Sequence, residues 1–195
     1  MIRPASAFTT ILLLALAALL AFSPLDTWLD ATMPRIVLLQ MPAWILFGWL
    51  VGRKRGNILV HLDPRGLGAL AFAILTVIFW MIPRSIDTIG YSTRADQLLH
   101  ASLFIAGFAL ASGFPRLPFV AKAALCIMGT SHVFALGVFY TKHTALLCGS
   151  FSLLQQQELG HWLLRLTPFI LVLALVGAFR ALARAAEQER QTARP

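Results

Sequence analysis

Apolar stretches close to membrane-spanning length recur along this chain, separated by short links that hold most of its charged residues. A helix needs about 20 mainly apolar residues to cross the hydrocarbon of a bilayer, within a range of roughly 17 to 25. Six stretches approach that length: Ala5–Phe22, Ile36–Val51, Gly66–Pro83, Leu98–Phe114, Leu117–Tyr140 and Trp162–Leu182. The chain is 58% hydrophobic and 12% charged, whereas a soluble domain carries about a quarter charged residues. No polar segment is large enough to form a separate soluble module. These features predict an all-α, polytopic membrane helix bundle of about six transmembrane helices, one domain over residues 1–182 with a polar tail over 183–195. The first stretch, behind Arg3, also has the form of a signal peptide. Pro24, just past the only plausible cleavage point, favours its retention as a span; cleavage would leave five.

The net charge of +8 does not point to nucleic acid, because the lysines and arginines sit in clusters between apolar runs rather than along one polar face. Such clusters orient a membrane protein, since basic residues flanking the spans stay on the cytoplasmic side. Arg53, Lys54, Arg55 and Arg65 lie between the second and third stretches, and Arg180, Arg184, Arg190 and Arg194 close the sixth and follow it. An even number of crossings puts both groups on one side, which predicts an N-in, C-in topology with Arg35, Arg84, Arg94, Lys142 and Arg165 toward the other face. The basic inner loop can also touch anionic lipid headgroups. Two cysteines, Cys126 in an apolar run and Cys148 in a link, do not make a disulfide framework.

In that topology His100, His132, His143 and His161 fall at or near the outer face, and His61 alone lies in the inner loop. Asp96 precedes His100 by four residues, so the two share a helix face. His132, in the string Gly129-Thr130-Ser131-His132, is costly to expose to lipid and is expected to face the bundle interior. Arg165, one turn inside the last span, needs a carboxylate, a carbonyl or water, with Glu158 and Asp96 as candidate partners. Imidazole is the commonest metal ligand, and imidazole with thioether sulfur selects reduced copper over harder cations. Met33, Met81 and Cys148 are the soft donors near the same face. The competing reading is that the histidines hydrogen-bond between helices and the methionines fill packing gaps. No nucleophile elbow, phosphate-binding glycine loop, HExxH or CxxC is present, so no enzymatic activity is expected.

Trp80-Met81-Ile82-Pro83, then Asp87, then His100 followed by Leu103-Phe104 and Gly107, resembles the central signature of the polytopic CtaG-type cytochrome c oxidase assembly factors. That signature is a Trp-His-x-Pro, a nearby acidic residue and a histidine opening the next helix. Tyr140-Thr141-Lys142-His143 resembles the family's Tyr-x-x-Tyr, and Ser152 to Leu164 its Asp-Gln-x-x-x-Gly segment, so the resemblance covers about residues 75–182. Met81 stands where the family has histidine, Gln156 where it has aspartate, His161 where it has glycine and His143 where it has its second tyrosine; His100 is retained.

The resemblance implies a multi-pass protein of the bacterial cytoplasmic (inner) membrane that partners terminal oxidase subunits and holds or delivers copper at the outer face. The candidate metal ligands are His100, Asp96, His143, His161, His132 and Met81. The alternative is a metal-free accessory or scaffold subunit of a respiratory complex. A haem-binding subunit and a transporter are weaker readings, since the histidine spacing does not favour the first and no internal repeat supports the second.

Overall fold

The computed structural model describes residues 24–55 and 60–192, and these are all-helical, with no strand among them. The predicted span at 5–22 lies outside the described residues. Helix α1 covers Pro24–Asp30. Helix α2 begins as a short turn, Met33–Arg35, with Pro34 in its first turn, where a missing N–H costs nothing. It continues through a π-helical stretch, Ile36–Gln40, into an α-helical stem, Met41–Arg55. The wide register is visible where the Met41 N–H reaches the Ile36 carbonyl. It directly precedes Pro42, whose ring and missing N–H disfavour an ordinary helical turn.

Helix α3 is Leu67–Met81, α4 is Pro83–Ile89 and α5 is Thr93–Gly113, closed by a 3-10 turn, Phe114–Arg116. Helix α6 is Phe119–Lys142, and α7 runs from Leu153 to Thr192, so the polar tail continues the last helix that far. Among the described residues, four segments are long and apolar enough to cross a membrane: Met33–Lys54, Thr93–Arg116, Phe119–Lys142 and Leu153–Arg180. A fifth candidate is the pair α3–α4, bent by 75°. That bend falls at the end of the stretch predicted as a span over 66–83. Its cause is local: a residue before proline is driven out of the helical region, and Ile82 has φ −67°, ψ 127°. The last helix starts nine residues earlier than expected, because the polar Ser152–Gln157 segment supplies its first turns.

The described chain forms two compact units, one ending at Pro118 and including His143–Gln156, the other comprising Phe119–Lys142 and the residues from Gln157 on. In the first, α5 is central, with Leu99 and Leu103 fully buried, and it packs against both α2 and α3. Gly48 and Gly52 of α2 and Gly107 of α5 make the α2 contact possible. A Cβ on Gly48 would sit 2.0 Å from the Phe104 carbonyl oxygen, and one on Gly107 would sit 2.1 Å from that of Ile45. Small residues let helix backbones approach this closely in membranes. At the other end of α3, Gly66 adopts φ +72° against Gly113, and the Asp63 carboxylate accepts the Ala69 N–H at 2.8 Å.

In the second unit, α6 and α7 meet through Gly137, which faces Leu164, and Gly160, which faces Thr141.

Candidate metal centre

The first turn of α5 sets up the site. Ser92 accepts the Ala95 N–H and caps the helix, and Asp96 follows within that turn, where the exposed N–H groups favour a carboxylate. One turn on, His100 places its Nε2 3.2 Å from Asp96 Oδ1. At about 1.5 Å per residue, the pair sits roughly 5 and 10 Å along the span that opens at Thr93. Both residues are buried, at 8% and 5% exposure.

Helices α1 and α2 complete the cluster. Asp26 Oδ1 lies 3.6 Å from His100 Nε2, and the three ligand atoms of Asp26, Asp96 and His100 all fall within 4.8 Å of one another. Gln40, fully buried at the end of the π stretch, directs its Nε2 at Asp30 Oδ1 (2.7 Å), His100 Nε2 (3.0 Å) and Asp26 Oδ1 (3.4 Å). Trp44, one helical turn further along α2, stacks on the imidazole with ring centres 4.7 Å apart and planes 26° apart. Burial, reinforced by the charge of Asp30 and opposed by the Gln40 hydrogen bond, pushes the Asp26 carboxyl up to about 6. Asp30 is raised as well, by burial.

The cluster is short of positive charge. It gathers three carboxylates, and among the described residues no lysine or arginine forms an ion pair with it. Arg35 lies over the Trp28 ring and donates to the Trp28 carbonyl, and Arg94, close to Asp96 in sequence, is exposed. Gln40 has two amide hydrogens, and the closest acceptors for them are Asp30 and His100. A His100 Nε2 that accepts from Gln40 cannot donate to Asp96, and Asp96 Oδ1 is indeed buried without a donor. Turning the amide over would satisfy a protonated imidazole but set Gln40 Oε1 against the Asp30 carboxylate. Either way one short contact needs a cation or a shared proton. Gln40 Oε1 and Trp44 Nε1 are further buried polar atoms without partners.

Ions held at about 2.0–2.2 Å by nitrogen and oxygen bring their ligand atoms roughly 3.0–3.5 Å apart, close to the Asp96–His100 and His100–Asp26 separations. Two carboxylates, one imidazole and an amide suit zinc, iron or manganese in the divalent state, and divalent copper. Among the described residues no cysteine belongs to the cluster, and its carboxylate and imidazole donors are not the soft set that selects reduced copper.

The sequence-derived candidates separate. Asp96 and His100 come together as their spacing predicts, and Asp26 joins them. His143 lies in the link after α6, His132 within α6 and His161 on α7, and none belongs to a metal-capable cluster among the described residues. His132 Nε2 is buried without a hydrogen-bond partner. Met81 ends α3 at the bend. Cys148 donates its thiol to the Pro83 carbonyl and is pushed up to about 11 by burial and by Asp87, which keeps it protonated. Gln156, at the family's aspartate position, accepts the Leu147 N–H and donates to the Ala145 carbonyl, which fixes the link ahead of α7. Arg165 lies over the Trp162 ring. Asp26 and Gln40 were not singled out from sequence; a carboxylate beside a span boundary and an isolated Gln in an apolar run were the available signals. Comparison of the chain with protein-family models, curated proteins and solved structures gives no match.

Proposed function

We propose that this chain is a multi-pass membrane protein that binds one divalent first-row metal ion through Asp26, Asp96 and His100, with Gln40 and Trp44 holding the imidazole and carboxylates in place. The observation that carries the proposal is the uncompensated contact between Asp96 Oδ1 and His100 Nε2 in a partly buried group of carboxylates that no lysine or arginine pairs with among the described residues. A structural imidazole–carboxylate pair would have its proton donor and acceptor matched; this one leaves a gap that a divalent ion fills. Six spans with both termini in the bacterial cytoplasm place the site at the outer membrane boundary, open to metal from that side.

The oxidase-assembly role implied by the resemblance is supported at one point: His100, the retained histidine of that motif, is a member of the cluster. In that role copper is the cargo, held in the divalent state by nitrogen and oxygen donors and released by ligand exchange to a site richer in imidazole.

Metal analysis by mass spectrometry on detergent-purified chain tests the proposal. Close to one zinc, iron, manganese or copper ion per chain is expected, falling at least tenfold in Asp96→Asn and in His100→Gln, consistent with loss of a direct ligand. A wild-type chain that takes up none of these ions after incubation with each would overturn it and leave the metal-free accessory reading. Normal copper in the oxidase of cells carrying His100→Gln would remove the assembly role while leaving metal binding intact.

A further inference from the structure

Helix α5 presents a second face beside the one that carries Asp96 and His100. Ala95, Leu98 and Ser102 fall on one side of it and Asp96 and His100 nearly opposite, since successive residues turn by about 100°. The first side forms a wall of a groove of about 690 Å³, a volume within the range of small-ligand sites. Phe72, Leu75 and Phe79, spaced for one face of α3, form the other wall, and the 75° bend sets Arg84 and Ser85 of α4 across one end.

The Trp80, Ser102, Thr76 and Thr88 side chains along the groove already have partners. The Trp80 indole donates to Ser102 Oγ, which donates to the Leu99 carbonyl; Thr76 donates to the Phe72 carbonyl and Thr88 to that of Ser85. What remains is an apolar trough with an exposed guanidinium at its end, and Arg84 has no ion-pair partner among the described residues. Asp87, the nearest carboxylate in sequence, is engaged by the Ser150 N–H at 2.6 Å. Arg94, exposed and one turn before Leu98 on the same face of α5, adds a second positive charge at that end. Both arginines are close in sequence to the start of the Thr93–Arg116 candidate span, and basic residues at such a boundary are within reach of lipid phosphates.

We infer that this groove binds an anionic phospholipid, with an acyl chain between α3 and α5 and the phosphate on Arg84. The occupant follows from charge complementarity at one end and unbroken apolar surface along the rest; basic positions between transmembrane helices recognise anionic headgroups in this way. The inference rests on the membrane character of the chain and not on the metal site.

Native mass spectrometry of the full chain in detergent, with phosphatidylglycerol and phosphatidylcholine of identical acyl chains added, tests it. The wild type is expected to retain one phosphatidylglycerol with a preference of roughly fivefold, the effect of one surface cation. Arg84→Gln should lower the preference markedly and Arg84→Gln with Arg94→Gln should bring the two lipids close to parity, Arg84→Lys should keep most of the preference, and Leu98→Trp, at an exposed position, should reduce retention of both by filling the trough. Equal retention of the two lipids by the wild type, a preference unchanged in Arg84→Gln, or full retention in Leu98→Trp would each overturn the inference.

Discussion

Gln40 is the residue whose loss should be felt most sharply. It is fully buried and donates hydrogen bonds to both Asp26 and Asp30. Replacing it with Leu leaves two half-buried carboxylates without that donor, a change that costs about 1 kcal/mol. Thermal unfolding of the metal-free chain in detergent should show the loss, and a saturating divalent ion should recover part of it. Asp63 behaves differently because it lies outside the spans. Its acceptance of the Ala69 N–H, helped by the Gly68 and Gly66 N–H groups and by Arg116, lowers its pKa below 3.8. A lowered carboxylate pKa means stability that is present above pH 3.8 and is lost as pH falls through the lower folded value. Asp63→Ala should therefore cost ~1 kcal/mol at pH 7, the usual cost of losing such a cap. That difference from wild type should shrink below about pH 4 when unfolding is followed against pH. At this scale the sequence was partly legible. Four-residue spacing was enough to pair Asp96 with His100, but Gln40 is 60 residues from His100, and only the packing of α2 on α5 unites them.

The α2–α5 contact is the element on which the site depends. Gly48, Gly52 and Gly107 bring the two backbones together, and Gln40 and Trp44 reach His100 from the same helix that carries Gly48 and Gly52. Gly48→Ala forces a side chain against the Phe104 carbonyl and should destabilise by about 1–3 kcal/mol, as overpacking does. It should also weaken metal binding without altering a ligand, which unfolding and metal titration on the same variant would show. Gly48-x-x-x-Gly52 and Ile82-Pro83 are the marks that this contact and the break between α3 and α4 leave in the sequence, but apolar run length alone singles out neither. The π stretch is less visible, because apolar periodicity over Ile36–Gln40 does not distinguish a wide turn from an ordinary one; Pro42 is its only marker.

Across the whole molecule, composition alone conveyed the class: apolar runs in a chain with 12% charged residues leave little but a membrane helix bundle, and the described residues are helices with four candidate spans. The run lengths misplaced some span ends, since polar first turns such as Thr93–Asp96 and Ser152–Gln157 belong to helices that the hydropathy pattern starts later. Orientation rests on the basic clusters. With Cys126 and Cys148 replaced, a cysteine introduced at Tyr91, which is exposed, should react with an impermeant thiol reagent in intact cells. One introduced at Ala183 should react only after permeabilisation, and the reverse pattern would invert the topology.

The most direct measurement is visible spectroscopy of the metal-free chain titrated with cobalt(II), whose d–d bands report the donors around the ion. Bands that saturate near one equivalent, shift in His100→Gln and vanish in the Asp26→Asn, Asp96→Asn double variant are expected for an ion held by this cluster. Bands that never develop, or that are unchanged in those variants, would contradict a metal site at Asp26, Asp96 and His100.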